Sequence, residues 1–201
     1  MMSNLFSTGP RELLPYDGSA ILHNEVWALD ESHEFLVDLL EHVEWVQPML
    51  QMFGRPVLQP RLTAWFGESG RRYTYSGVAF DPKPWTTSLR AIKAVCEERA
   101  SARFNSVLVN LYRSGDDSVA WHADDEPELG TNPTIASVSF GATRRFDLKH
   151  RETGETVKTD LRSGSLLVMS GACQHKWLHQ VAKTKKASDP RVNLTFRSIH
   201  V

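Results

Sequence analysis

The chain is poor in the features that would take it out of an ordinary globular class. It has two cysteines, Cys96 and Cys173, in 201 residues. That is too few for a disulfide framework, so a reducing compartment is expected: cytoplasmic in a bacterium, nuclear in a eukaryote. No stretch approaches the ~20 apolar residues of a helical membrane span, so no membrane partner is expected. Met1 to Pro10 lacks the basic-then-apolar pattern of a secretion signal. Internal repeats and low-complexity runs are absent. An excess of one charge is missing too: 23 Lys and Arg against 24 Asp and Glu leave a net charge of −1. Any contact with nucleic acid must therefore come from local patches. What is present is 41% hydrophobic content, enough to bury one core, so a single domain over 1–201 and a monomer are expected.

Within that domain the sequence divides into three parts. Residues 1–50 form an N-terminal extension and helix. Asp30 reads as the N-cap, and Phe35, Leu36, Leu39, Leu40 and Val43 recur at helical spacing through Trp45. Residues 51–82 are punctuated by Gly54, Pro56, Pro60, Gly67 and Gly70 and read as loops and short strands, a lid. A second helix, capped by Thr87 or Ser88, carries Leu89, Ile92, Val95 and Cys96 on one stripe. From Phe104 the pattern is strand after strand, about eight of them with tight turns. Residues 104–201 therefore predict a mostly β fold with flanking helices: a small antiparallel barrel or double-sheet, cupin-like jelly roll with an N-terminal helical buttress.

The chemistry centres on Trp121-His122-Ala123-Asp124-Asp125-Glu126-Pro127. On an extended chain His122 and Asp124 leave the same face about 7 Å apart, close enough to meet at one metal ion. A second histidine on another strand, with His179 the candidate, completes a two-His-one-carboxylate face. That set suits Fe(II) and leaves coordination positions open. Arg191-Val192-Asn193-Leu194-Thr195-Phe196-Arg197 alternates strictly. One face is apolar; the other carries two guanidiniums and an amide, which can hold a dicarboxylate. Two other stretches stay open. Trp65 and Phe66 are either exposed aromatics that touch a base or core residues. Arg71, Arg72, Tyr73 and Tyr75 either serve phosphate and base stacking or form a plain edge strand. Arg144, Arg145, Lys183, Lys185 and Lys186 are phosphate candidates or solvated surface. His175 is set aside as a ligand because on an extended strand it would lie too far from His179.

The order of these motifs resembles the iron(II)- and 2-oxoglutarate-dependent dioxygenases of the AlkB family, nearest the branch that repairs alkylated DNA. The resemblance rests on Tyr73-Thr74-Tyr75-Ser76-Gly77, Pro82-Lys83-Pro84-Trp85, Asn110-x-Tyr112, His122-x-Asp124, Ile135 to Gly141, Gly164-Ser165-Leu166-Leu167 and Pro190 to Arg197. It implies a double-stranded β-helix with Fe(II) on His122, Asp124 and His179. It also implies 2-oxoglutarate chelated to the metal near Arg197, its far carboxylate on Arg191 with Asn110 and Tyr112, Asn193 between them, and O2 at the last metal position. The implied reaction is demethylation of 1-methyladenine and 3-methylcytosine in single- or double-stranded DNA, with formaldehyde, CO2 and succinate released. RNA, a protein or a small molecule is the alternative substrate. The implied substrate contacts are Arg61, Trp65, Tyr73, Tyr75, Ser76 and Asp125 or Glu126; the bland reading of the last two is a solvated acidic loop.

Overall fold

The computed structural model describes residues 9–200 except 53–54, 69–72, 76–77 and 81. Two short strands, β1 (Arg11–Glu12) and β2 (Ser19–His23), precede helix α1 (Leu29–His42). Then come β3 (Met49–Met52), β4 (Arg55–Leu58), β5 (Leu62–Gly67), β6 (Tyr73–Tyr75), β7 (Val78–Phe80) and helix α2 (Thr87–Ala100). The rest is β8 (Ser106–Tyr112), β9 (Val119–His122), β10 (Ile135–Gly141), β11 (Arg144–His150), β12 (Thr156–Leu161) and β13 (Ser165–Ser170). A short helix α3 (Cys173–Lys176) leads into β14 (Trp177–Val181), and β15 (Arg191–Arg197) ends the fold.

The strands form a seven-stranded sheet, β1-β2-β13-β10-β15-β8-β5, and a four-stranded sheet, β12-β11-β14-β9, with two separate hairpins, β3-β4 and β6-β7. This is the double-sheet jelly roll the strand pattern predicts, and the eight strands expected after Phe104 are β8 to β15.

Period-two alternation places every side chain of the major sheet. Val107, Val109 and Leu111 of β8 share a face with Val192, Leu194 and Phe196 of β15 and with Ala136, Val138 and Phe140 of β10. The helices cover that face. Leu39 and Val43 come from the region of α1, and Leu89, Ile92 and Cys96 from α2. Gly141 is needed where β10 ends beneath α1. It has φ +89°, and a side chain there would collide with the Pro190 carbonyl and the Leu36 methyls. The opposite face of the major sheet meets the minor sheet. At the β2-β13 end the two sheets close over an apolar core of Leu22, Leu167, Met169, Phe146, Leu148 and Trp177. At the β10-β15-β8 end the facing side chains are polar, and a groove opens.

Several boundaries differ from expectation. The first helix begins at Leu29 after Ala28, with Asp30 and Glu31 inside its first turn rather than capping it. There their charge meets the positive end of the helix dipole. It stops at His42 because Val43 is extended. The second helix is capped one residue earlier than expected: the Thr86 hydroxyl accepts from Leu89 N at 3.2 Å. Within 51–82 the described residues form short strands. Leu62–Gly67 pairs residue for residue with β8 as the edge of the major sheet, while β3-β4 and β6-β7 stand apart. His175 lies in the helical turn α3, not on a strand, and its Nε2 accepts from Asn132 N at 3.3 Å.

Candidate active site

The groove between the sheets is lined by Arg61, Tyr112, His122, Asp124, His179 and Arg191. At one end β9 and β14 pair so that His122 lies directly opposite His179. Cross-strand neighbours of this kind have their side chains a few ångströms apart, and the two imidazole centroids are 4.3 Å apart. Asp124 follows as the chain leaves β9, and its backbone N–H donates to Gln174 Oε1 at 2.9 Å. One donor atom from each of His122, Asp124 and His179 lies within 4.8 Å of the others, the one such group among the described residues. A single divalent ion can be held by all three.

The state of each donor follows from its neighbours. His122 Nδ1 sits 2.8 Å from the Ala120 carbonyl. A carbonyl only accepts, so Nδ1 carries the proton and Nε2 presents its lone pair. His179 is stacked on Phe146 at 5.3 Å. Burial first, and then the His122 imidazole, push its pKa down to about 3, so it is an unprotonated donor at neutral pH. Burial alone would raise the Asp124 carboxyl. The Arg197 guanidinium, with His179 and His122 behind it, holds it well below the usual carboxylate range. Arg197 Nη2 lies 2.8 Å from Asp124 Oδ2, which leaves Oδ1 for a metal.

The other end of the groove is built from alternate residues of β15, β8 and β10. Arg191 is 1% exposed. Its Nη2 donates to Ser139 Oγ at 2.9 Å, and its plane lies over the Tyr112 ring at 5.0 Å. Its Nε and Nη1 have no hydrogen-bond partner. Burial pulls this guanidinium's pKa down to about 10, partly opposed by Tyr112, so it remains a cation. A buried cation with unused N–H groups is costly unless an anion fills the space before it. A carboxylate fits that requirement bidentately. Asn193 donates to Ser137 Oγ at 2.9 Å and to the Val138 carbonyl at 2.8 Å, so it shapes the floor of the groove. Asn110 Oδ1 accepts from Arg61 Nε at 2.8 Å.

The metal and dicarboxylate residues expected from sequence are thus brought together. The expected substrate contacts are not all in one place. Arg61 lies inside the groove as a partner of Asn110. Trp65 is 6% exposed, packed with Leu108, Leu129 and Ile199; its place in the major sheet, opposite Leu108, makes it a core residue rather than an exposed stacking platform. Asp125 is exposed and ion-paired with Arg151 at 2.9 Å. Glu126 is half-buried, and its Oε2 is enclosed without a partner. Arg144 is 2% exposed, its fork spent on backbone carbonyls, so it is no phosphate contact. The side chains of Tyr73 and Tyr75, and all of Arg71, Arg72 and Ser76, lie outside the described residues.

Sequence reasoning missed the roles of four residues. Ser137 and Ser139 share the inward period of β10 and are legible from that alternation. Arg144 shares parity with inward Phe146 and Leu148, a signal masked by its exposed neighbour Arg145. Gln174 holds Asp124 from a distant turn, and no local pattern marks it.

Comparison with known proteins agrees with this geometry. The family model of the 2OG-Fe(II) oxygenase superfamily matches residues 18–197. The chain is 42% identical over 207 residues to the Homo sapiens protein named "Alpha-ketoglutarate-dependent dioxygenase alkB homolog 3", spanning 98% of this chain and 69% of that one. It is 39% identical over 180 residues to Homo sapiens "DNA oxidative demethylase ALKBH2", spanning 84% and 69%. A solved structure described as "The structure of OsALKBH1" superposes with a TM-score of 0.64 at 16% identity, over 94% of this chain and 100% of that one; at that identity it supports the fold alone. With a metal triad at one end of the groove, an unsatisfied arginine at the other and this degree of identity over its whole span, the chain belongs to the 2OG-Fe(II) oxygenase superfamily, within its AlkB homologues.

Proposed function

We propose that this dioxygenase removes methyl groups from 1-methyladenine and 3-methylcytosine in single- or double-stranded DNA. The observation that carries the substrate reading is Glu126, two residues past Asp124, whose Oε2 is enclosed with no hydrogen-bond partner. Methylation at N1 of adenine or N3 of cytosine makes the ring cationic and breaks its pair. Such a base leaves the stack cheaply, and a desolvated carboxylate favours it over the neutral base. Asp125 is less suited, since Arg151 already neutralises it. The ALKBH2 relative, named a DNA oxidative demethylase, supports the same reading.

The residues fit the cofactors this chemistry needs. His122 Nε2, Asp124 Oδ1 and a nitrogen of His179 would hold Fe(II), a donor set that suits it. Arg191, through its unused N–H groups and beside Tyr112, would hold the far carboxylate of 2-oxoglutarate. When bound, iron, O2 and 2-oxoglutarate together supply the oxidation of the methyl group, with succinate and CO2 as co-products and formaldehyde lost from the hydroxymethylated base. The protein's own work is placement. Arg197 fixes the orientation of Asp124, Gln174 fixes the backbone that carries it, and the Ala120 carbonyl fixes the tautomer of His122. Leu108, Phe146 and Val119 line the groove with apolar surface and exclude water.

The experiment is a side-by-side formaldehyde assay with Fe(II) and 2-oxoglutarate on 1-methyladenine and 3-methylcytosine in single-stranded DNA, duplex DNA and RNA. Release from methylated DNA is the expected result. Release from RNA alone, or from none of them, overturns the proposal.

A further inference from the structure

Arg144 has no part in the roles described so far, yet it is among the largest fully buried side chains of the protein. It opens β11 on the side that carries Phe146 toward the groove. Its guanidinium donates to three backbone carbonyls: Ser114 at 3.1 Å, Asp117 at 2.9 Å and Ala182 at 2.8 Å. The first two belong to the connection between β8 and β9, the third to the connection between β14 and β15. Those connections also bond to one another directly. Gly115 N donates to the Ala187 carbonyl at 2.7 Å, and Thr184 N to the Gly115 carbonyl at 2.9 Å. Any side chain at 115 would run into the Thr184 carbonyl. Arg113 grips Asp117 with two bonds of 2.8 Å. The two connections therefore form one cap, and Arg144 fastens it from within.

The same guanidinium lies over the Tyr112 ring at 5.5 Å, while Arg191 lies over that ring at 5.0 Å. Two buried cations share one phenol. The nearby carboxylate, Asp117, is bonded to Arg113 and also offsets part of the Arg144 charge. Two buried cations side by side repel each other, and an incoming anion relieves that cost.

We propose that Arg144 is a positioning residue for the distal carboxylate of the cosubstrate. It fixes Tyr112, adds positive potential beside Arg191 and fastens the cap at that end of the groove. This rests on reading the groove as a 2-oxoglutarate site, and not on which base is oxidised.

The test uses the full chain loaded with Mn(II). Arg144→Met and Arg144→Lys are titrated by calorimetry with 2-oxoglutarate and, separately, with a methylated single-stranded oligonucleotide. Arg144→Met is expected to weaken 2-oxoglutarate binding about tenfold or more, the range seen when groups that orient a site are removed. Affinity for Mn(II) and for the oligonucleotide should stay within about twofold of wild type, and Arg144→Lys should recover part of the loss; a merely structural defect would depress all three affinities together. An Arg144→Met protein that binds 2-oxoglutarate like wild type overturns the proposal. Should that variant not fold, amide hydrogen exchange on wild type decides. Bound 2-oxoglutarate is expected to slow exchange in both 113–118 and 182–187, and unchanged exchange in those segments overturns the proposal. Wild type that binds 2-oxoglutarate but releases no formaldehyde counts against base demethylation alone.

Discussion

Arg197 and Arg191 stand at opposite ends of β15, on one face, and both are almost wholly buried. At the metal end, Arg197 is ion-paired with Asp124 at 2.8 Å. At the far end, Arg191 is held by a serine hydroxyl and a phenol ring rather than by a carboxylate. The first guanidinium is neutralised by a group of the protein and acts on the metal through it. The second keeps its charge for something that arrives. One strand face thus holds one guanidinium paired with a carboxylate and one held by neutral groups, and the second is where the proposed dicarboxylate would bind.

The largest effect should come from breaking the Arg197–Asp124 pair. Asp124→Ala removes a metal ligand and leaves Arg197 buried without its partner. Turnover should fall on the order of 10³-fold or more. The fold should survive with a loss of about 3 kcal/mol, the lower end for orphaning one member of a buried pair; formaldehyde release and denaturant unfolding check the two halves. Arg197→Met should cost similar stability, because it strands Asp124. Arg191→Met should not: without cosubstrate it removes an uncompensated charge, so stability should hold or rise. The 2-oxoglutarate concentration needed for half-maximal rate should instead rise about 100-fold for Arg191→Met, the upper range for losing a hydrogen-bonded charge contact. If the two arginine variants lose the same stability, the contrast drawn here is wrong.

Acid sharpens the same contrast. His179 has its pKa lowered to about 3 in the folded protein, so on unfolding below its ordinary value near 6.5 it takes up a proton that the folded state refuses. The metal-free protein should therefore lose stability as pH falls from about 6.5 toward 3, by about 1.4 kcal/mol per unit for this residue. Asp124, also lowered, acts in the same direction further down. Urea unfolding at a series of pH values would reveal a flat profile if burial of His179 were unimportant. The smallest effect is expected at Glu126. Glu126→Gln should reduce turnover of methylated bases about tenfold and spare decarboxylation of 2-oxoglutarate in the absence of nucleic acid; equal losses in both would mean that Glu126 supports the fold rather than the base.

The parts legible in the sequence were those with a local period. β15 announces its two faces by strict alternation, so its guanidinium face could be read as a dicarboxylate holder before the sheets were known, while Asn110 and Tyr112 of β8, whose polar face also carries Leu108, were added only through the family resemblance. The triad could be named because its first two members lie two residues apart. Its third member depends on β14 pairing with β9, which no local pattern encodes. Trp65 was ambiguous for the same reason: its burial is fixed by β8, far away in the chain. The cap residues were the least legible. Arg144 beside Arg145 reads as a surface pair until β11 is oriented, and Gly115 is explained only by the Thr184 carbonyl that crosses it.

The central claim is that β15 orients a keto diacid with one end toward the triad and the other on Arg191. A crystal structure with Mn(II) and 2-oxoglutarate bound tests it most directly. The account predicts the metal on His122, Asp124 and His179, with the far carboxylate held by the Nε and Nη1 groups of Arg191. A diacid bound elsewhere, or a metal that leaves any of those three side chains unused, would contradict it.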